Sequence, residues 1–180
     1  MNNKNISHAK RFDKKLFVQC IVFSVLIIVL TLFQISFFKV FGATPGIVLC
    51  LVCAIGFLCG ERCGAICGVM GGFFIDMLGS VGIGFSPILY MLAGYLCGYF
   101  LKIFFKRNFL SFIIYSLCVG GIQSLITIAR FAFGAKNFNI INIFVKTLIP
   151  EFFAFILCVP IVYFICLGIV KIIEKFKALN

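Results

Sequence analysis

An all-α integral membrane protein of six transmembrane helices, with both termini on the cytoplasmic side, is the fold class this sequence predicts. Three observations carry that expectation. The 180 residues are 63% hydrophobic and 12% charged, with mean hydropathy +1.22, whereas a soluble domain carries about 25% charged residues. Apolar runs recur along the chain, some of them long enough to cross a hydrocarbon core of about 30 Å at 1.5 Å per residue. The sixteen Lys and Arg, set against five acids, stand mostly where those runs end. A net charge of +11 in that arrangement reads as topology signals and contacts to anionic lipid head groups. No separate basic domain suggests a nucleic-acid partner. The expected organisation is one membrane domain over 16–170 between basic cytoplasmic tails at 1–15 and 171–180.

The first tail holds Lys4, Lys10, Arg11, Lys14 and Lys15 against Asp13. Residues 16–38 follow as an almost wholly apolar run, too long for a signal-peptide core and without an A-x-A site, so an uncleaved first helix is expected. A second helix is expected after the FGATPG turn, with Pro45 suited to a first turn, and runs to about Gly60. Adjacent Glu61 and Arg62 read as a tight cytoplasmic turn before a third helix over 63–79. The Gly-rich SVGIGFSP stretch leads to Pro87 and a fourth helix ending near Lys102, Lys106 and Arg107. A fifth helix is expected over 109–134. Residues 138–149 suit either a short interfacial helix or an extension of the sixth, which starts at Pro150 and reaches about 170 with a kink at Pro160.

Six crossings with the N-terminus inside place twelve of the sixteen Lys and Arg in cytoplasmic segments, as the positive-inside rule asks. A re-entrant hairpin of helices 2 and 3, with four crossings, satisfies the charge count equally. It would bury Glu61 and Arg62 near mid-bilayer, at a cost of several kcal/mol, so six crossings is preferred.

The segment 60–98 is densely set with glycines. Gly60, Gly64, Gly68 and Gly72 recur every four residues, and the next such step reaches Asp76. Residues four apart share a helix face, and helices in lipid approach closely where that face is small. Gly64, Gly68, Gly72, Phe73, Gly94 and Gly98 are therefore expected to form a helix-packing or partner-docking face. Asp76, Arg130 and Glu151 are the charges left inside the apolar segments. They suit a buried ion network with the Arg fork between two carboxylates. Glu151, after Pro150, equally suits a helix N-terminus, and Arg130 equally suits snorkelling to the surface.

Ten cysteines all lie in apolar segments, and His8 in the N-terminal tail is the only histidine. Buried free Cys behaves as a small hydrophobe, so the Cys59, Cys63, Cys67 ladder and the Cys50–Cys53 pair read as packing. No intramembrane His, HExxH, GxSxG, P-loop or paired-aspartate motif is present, so a non-enzymatic chain with no cofactor and no metal is expected.

The central stretch GAICGVMGGFFIDMLG followed by GIGFSPILYMLAGYLCG resembles the rod shape-determining membrane protein MreD family. The positions that carry the resemblance are Gly68, Gly72, Phe73, Asp76, Gly84, Leu89, Tyr90, Gly94, Tyr95 and Gly98, within a match over about 45–98. The resemblance implies a non-enzymatic component of the bacterial cell-elongation machinery in the cytoplasmic membrane. Its partners would be an MreC-like single-span protein and, in the same complex, RodA, a penicillin-binding transpeptidase and MreB filaments. It also implies a fold similar to the substrate-binding subunits of energy-coupling-factor vitamin transporters. Such a subunit is the alternative function, with Asp76, Gln123, Arg130 and Glu151 as ligand groups. Against it, helix 1 lacks the small Ala pair by which that class docks its coupling partner.

Overall fold

Helix α2 (Ile47–Cys59) is apolar or small at every position and has no face that could tolerate water. A helix of that kind must be enclosed, and every residue from Ile47 to Phe57 is buried. Among the described residues five other helices surround it: α1 (Asn3–Phe38), α3 (Glu61–Leu78), α4 (Phe85–Ile103), α5 (Phe109–Gly134) and α6 (Ile149–Ala178), and each of them contacts α2. This computed structural model describes residues 3–38, 46–78, 85–103, 109–134 and 149–178.

Contacts between neighbours fix the direction of each helix. The α2–α3 turn is Gly60 alone, at φ +99°, a backbone region open to glycine at little cost. It folds α3 back along α2, so that Gly71 lies against Val48 and Val52. Helix α4 returns along α3, with Gly98 at Glu61 and Gly72 at Ser86 and Pro87. Cys20 meets Cys63 and Ile27 lies near Gly71, so α1 runs parallel to α3. Phe112 and Tyr163 pack on Phe57, while Gly120 and Gly46 both face Phe155. Successive helices therefore alternate in direction. The basic start of α1, Arg62, Lys102 and Lys171 belong to one end of the bundle, the basic end. Asp76 and Glu151 belong to the other.

Among the described residues three helices are long and apolar enough to cross a membrane, over Gln19–Ser36, Phe109–Ile126 and Glu151–Ile173. Their outer faces carry large apolar side chains such as Val25, Leu110, Leu125, Phe153 and Phe164, each more than half exposed. Such a belt suits acyl chains and would aggregate in water. Helices α2 and α4 contribute shorter apolar stretches, Ile47–Cys59 and Phe85–Phe100.

Several boundaries differ from the sequence reading. Helix α1 starts at Asn3 and not at residue 16, because Lys- and Arg-rich sequence is a good helix former and extends an existing helix at no new nucleation cost. Helix α6 likewise continues to Ala178 and stays helical through Pro160. Glu61 and Arg62 are not a turn; they open α3, where Glu61 complements the helix dipole. The segment expected over 138–149, as an interfacial helix or an extension of the sixth, lies outside the described residues apart from Ile149, which opens α6, as does most of the 80–87 loop.

Candidate functional site

The α3–α4 seam is built from backbone. A Cβ at Gly68 would fall on the Tyr90 carbonyl, one at Gly72 on Pro87, and one at Gly98 on Glu61. At the centre three helices converge. Cβ atoms at Gly56 and Gly64 would each strike the Gly94 carbonyl, and one at Gly94 would strike the Gly64 carbonyl. These side-chain-free positions let the axes approach until main chain touches main chain, the means of association that remains in lipid. Tyr115 on α5 closes the flank, its hydroxyl donating to the Ala93 carbonyl at 2.7 Å.

Five of the six positions expected on a packing face are thus placed together: Gly64, Gly68, Gly72, Gly94 and Gly98 are buried in this seam, inside the chain itself. Phe73 does not join them. It lies one residue, about 100° of helix, from Gly72 and stands 52% exposed on the outside of α3. Its neighbours on that outer face are Ile66, Val69 and Met77. Gly56 was not expected at the crossing, yet its signal is in the sequence: it extends the every-four glycine repeat one step back into α2.

The carboxylate end has a different chemistry. Asp76 and Glu151 are each 7% exposed. Glu151 lines a small cavity with Gly46, Gly120, Gln123, Ser124, Phe152 and Phe155. Its volume of about 10 Å³ is close to what one water requires. Asp76 is not among the residues lining it, and the Arg130 side chain lies outside the described ones. The structure therefore brings Glu151 to Gln123 and Ser124, and does not bring Asp76 to that cavity. At the basic end Glu61 is half-buried beside Gly98 and Arg62 is exposed.

No protein-family model, curated protein or solved structure matches this chain.

Several polar side chains elsewhere on the bundle are satisfied within their own helix, as an apolar surround favours, while the buried Ser116 hydroxyl of α5 has no hydrogen-bond partner among the described residues. Ser24, Thr31 and Ser124 each donate to the carbonyl four residues back, at 2.6, 2.7 and 3.0 Å. Gly46 offers α2 no side-chain cap. Gln34 of α1 supplies one instead, its Oε1 accepting from the Val48 N–H at 3.2 Å. Sequence reasoning missed Gln34, Tyr115 and Cys20 because each acts on a different helix, and spacing along one helix carries no trace of that partner.

Among the described residues Cys20, Cys63 and Cys67 form a third cluster, their Sγ atoms all within 4.8 Å of one another. Cys63 and Cys67 are fully buried and Cys20 is part-exposed. The Cys59, Cys63, Cys67 ladder was expected to do no more than widen a small-residue face; Cys59 instead closes α2, and α1 brings Cys20 to the two thiols on α3.

Proposed function

We propose that this protein is a non-enzymatic, six-span scaffold of the bacterial cell-elongation complex. It sits in the cytoplasmic membrane with both termini inside and pairs with an MreC-like single-span protein. One observation carries the reading. The residues behind the family resemblance that the structure describes, all but Gly84, fold into one α3–α4 unit: Gly68, Gly72, Gly94 and Gly98 are spent on the internal seam, and Asp76 and Tyr90 are buried beside it. Phe73 and Tyr95 are left pointing outward, 52% and 42% exposed. A pattern that builds a rigid unit and presents aromatic side chains to the membrane suits a protein whose task is to be bound. The partner helix then docks on the outer aromatic face, and the glycines act by holding that face rigid.

Six crossings fit the alternating helix directions. Helix α2, at about 20 Å for its 13 residues, is shorter than the hydrocarbon core. Enclosed by five helices, it has no lipid to match. Its Gly60 turn lies level with Cys20, near the start of the apolar part of α1, and with Gly98, near the end of α4. The Glu61–Arg62 pair is then at the membrane edge, where the positive-inside rule wants it. A re-entrant turn would stop at half depth. Reporter fusions after residues 62, 107 and 180 should all read cytoplasmic, and fusions at 42, 82 and 137 extracytoplasmic.

The vitamin-carrier alternative needs a ligand pocket, and such pockets measure about 300–1,000 Å³. The cavity at Glu151, Gln123 and Ser124 has room for about one water. Affinity purification of the tagged chain from its own membranes, with unbiased mass spectrometry, separates the two. Co-purification of an MreC-like protein and cell-wall synthases supports the scaffold. Recovery of paired ATPases with a membrane coupling subunit overturns it.

A further inference from the structure

The sulfur cluster at the basic end is better suited to a ligand than to packing alone. Packing explains a buried cysteine as a small hydrophobe, and it accounts for Cys50 and Cys53 in the all-apolar α2. It asks nothing of the direction in which the sulfur points. Here two residues one turn apart on α3 and one on α1 aim their Sγ atoms at a common point. Cys20 Sγ stands 3.5 Å from Cys63 Sγ, and all three sulfurs lie within 4.8 Å of one another. Three thiolates about 2.3 Å from a central ion, in one plane with it, stand about 4.0 Å apart. The Cys20–Cys63 separation would have to open by about 0.5 Å, and no separation would have to change by more than about 1 Å, to receive such an ion.

We propose that Cys20, Cys63 and Cys67 form a three-sulfur site for a thiophilic monovalent cation, Cu(I). Soft thiolate ligands select Cu(I), Zn(II) or iron–sulfur clusters. A structural zinc site takes four N or S ligands in a tetrahedron, and three thiols fall one short of it. The Cys59 thiol at the end of α2 lies beside Cys63 but outside the group whose sulfurs all stand within 4.8 Å of one another, and on the α1 side the Met70 thioether is held by the Ser24 hydroxyl at 3.2 Å. A thioether is a donor that suits Cu(I) and is not among the ligands zinc takes. Cys20 is part-exposed and gives the ion an access route to the otherwise buried Cys63 and Cys67. Exposed Arg62 stands at this end and offsets part of the negative charge that bound thiolates bring. Each thiol that ligates releases its proton to solvent. Copper enters and remains as Cu(I), so nothing is oxidised or reduced.

The test uses the full chain purified in detergent, reduced and kept anaerobic. Cu(I) is offered as its bicinchoninate complex, and its withdrawal is read from the loss of the chelate's colour. Wild type should withdraw roughly one Cu(I) per chain, with X-ray absorption showing a sulfur-only coordination shell. C20A/C63A/C67A should lose that uptake, and C118A/C158A, which leaves the cluster intact, should keep it. Circular dichroism and a monodisperse gel-filtration peak check that the triple variant is folded. C20A alone, changed at a part-exposed site, is the second variant and should also lose uptake. Equal copper uptake by the wild type and the folded triple variant overturns the site, as does no uptake by wild type. Preferential uptake of Zn(II) by the same three thiols overturns the choice of metal.

Discussion

The α3–α4 seam and the α5–α6 contact solve the same problem by opposite means. In the membrane setting proposed above, both hold helices together in a solvent as apolar as their own side chains, where dispersion and close fit do most of the work. The seam does it by removing side chains. Gly64, Gly68, Gly72, Gly94 and Gly98 bring backbone onto backbone, and each is sterically committed. Between α5 and α6 large rings interlock. Tyr163 packs against Phe112 at 5.0 Å and Phe109 at 5.1 Å between ring centroids, and Phe112 leans on Phe57 of α2 at 5.4 Å. A ring can pivot and a carbonyl in a helix cannot. The seam should therefore be brittle, and the aromatic contact forgiving.

The largest effect is expected at Gly68. A methyl there meets the Tyr90 carbonyl and the Met91 Cα, both backbone, so α4 must retreat. Gly68→Ala should cost about 3 kcal/mol, the upper part of the usual overpacking range, read as a lower thermal midpoint in detergent. A neutral result would mean the helices are not in backbone contact. Gly120→Ala sharpens the contrast. Its Cβ would lie 2.6 Å from a ring carbon of Phe155, as crowded a position in distance, but the obstacle is a side chain that can turn. Its cost should be clearly smaller than that of Gly68→Ala in the same assay.

Second in size is Tyr163→Ala, which empties the centre of the aromatic contact. In water the loss would be about 3–5 kcal/mol for such a truncation. Between helices that stay in lipid the transfer part shrinks, and about 2 kcal/mol is expected, with Tyr163→Phe nearly neutral. Steric trapping of α6 or a detergent melt would measure both. Should the alanine variant prove as costly as Gly68→Ala, the forgiving character of this contact would be refuted.

The third effect has the opposite sign. Nothing lies within 4 Å of a Cβ at Gly121, so the open position gains the helix preference of alanine without a clash. Gly121→Ala should stabilise by about 0.5–1 kcal/mol. A loss instead would reveal a neighbour at this face, and a partner helix would be the first candidate.

How much of this was legible in the sequence follows from the same contrast. The seam was readable because it is written as a period: glycines four apart occupy one face, and Asp76 on that row is buried with them. The extent of α1 was not, because charge argued for a tail while helix propensity carried the helix through it. Gly60 was expected where the second helix ends and forms the turn there by itself; Glu61 and Arg62, read as that turn, open α3, since one glycine at φ +99° is enough to reverse the chain. The meeting of Cys20 with Cys63, the cap that Gln34 lends to α2, and the placing of Glu151 beside Gln123 and Ser124 all join different helices. Such pairs depend on how the helices pack, which no spacing within one helix records.

The smallest effect concerns the bond that ties the two regions together. The Tyr115 hydroxyl reaches from α5 to the Ala93 carbonyl at 2.7 Å, one residue from the Gly94 crossing. That carbonyl also serves the helix of α4, so the phenol adds a second acceptor contact and breaks nothing. Interhelical hydrogen bonds within membranes average only about 0.6 kcal/mol. Tyr115→Phe keeps the ring and its contact with Phe100 and should lower stability by that amount. If the loss is several times larger, the hydroxyl is fixing the position of α4, and the seam depends on α5 as well as on its glycines. A loss near the expected value would mean that the seam holds by contact alone, with α5 resting against a unit already rigid.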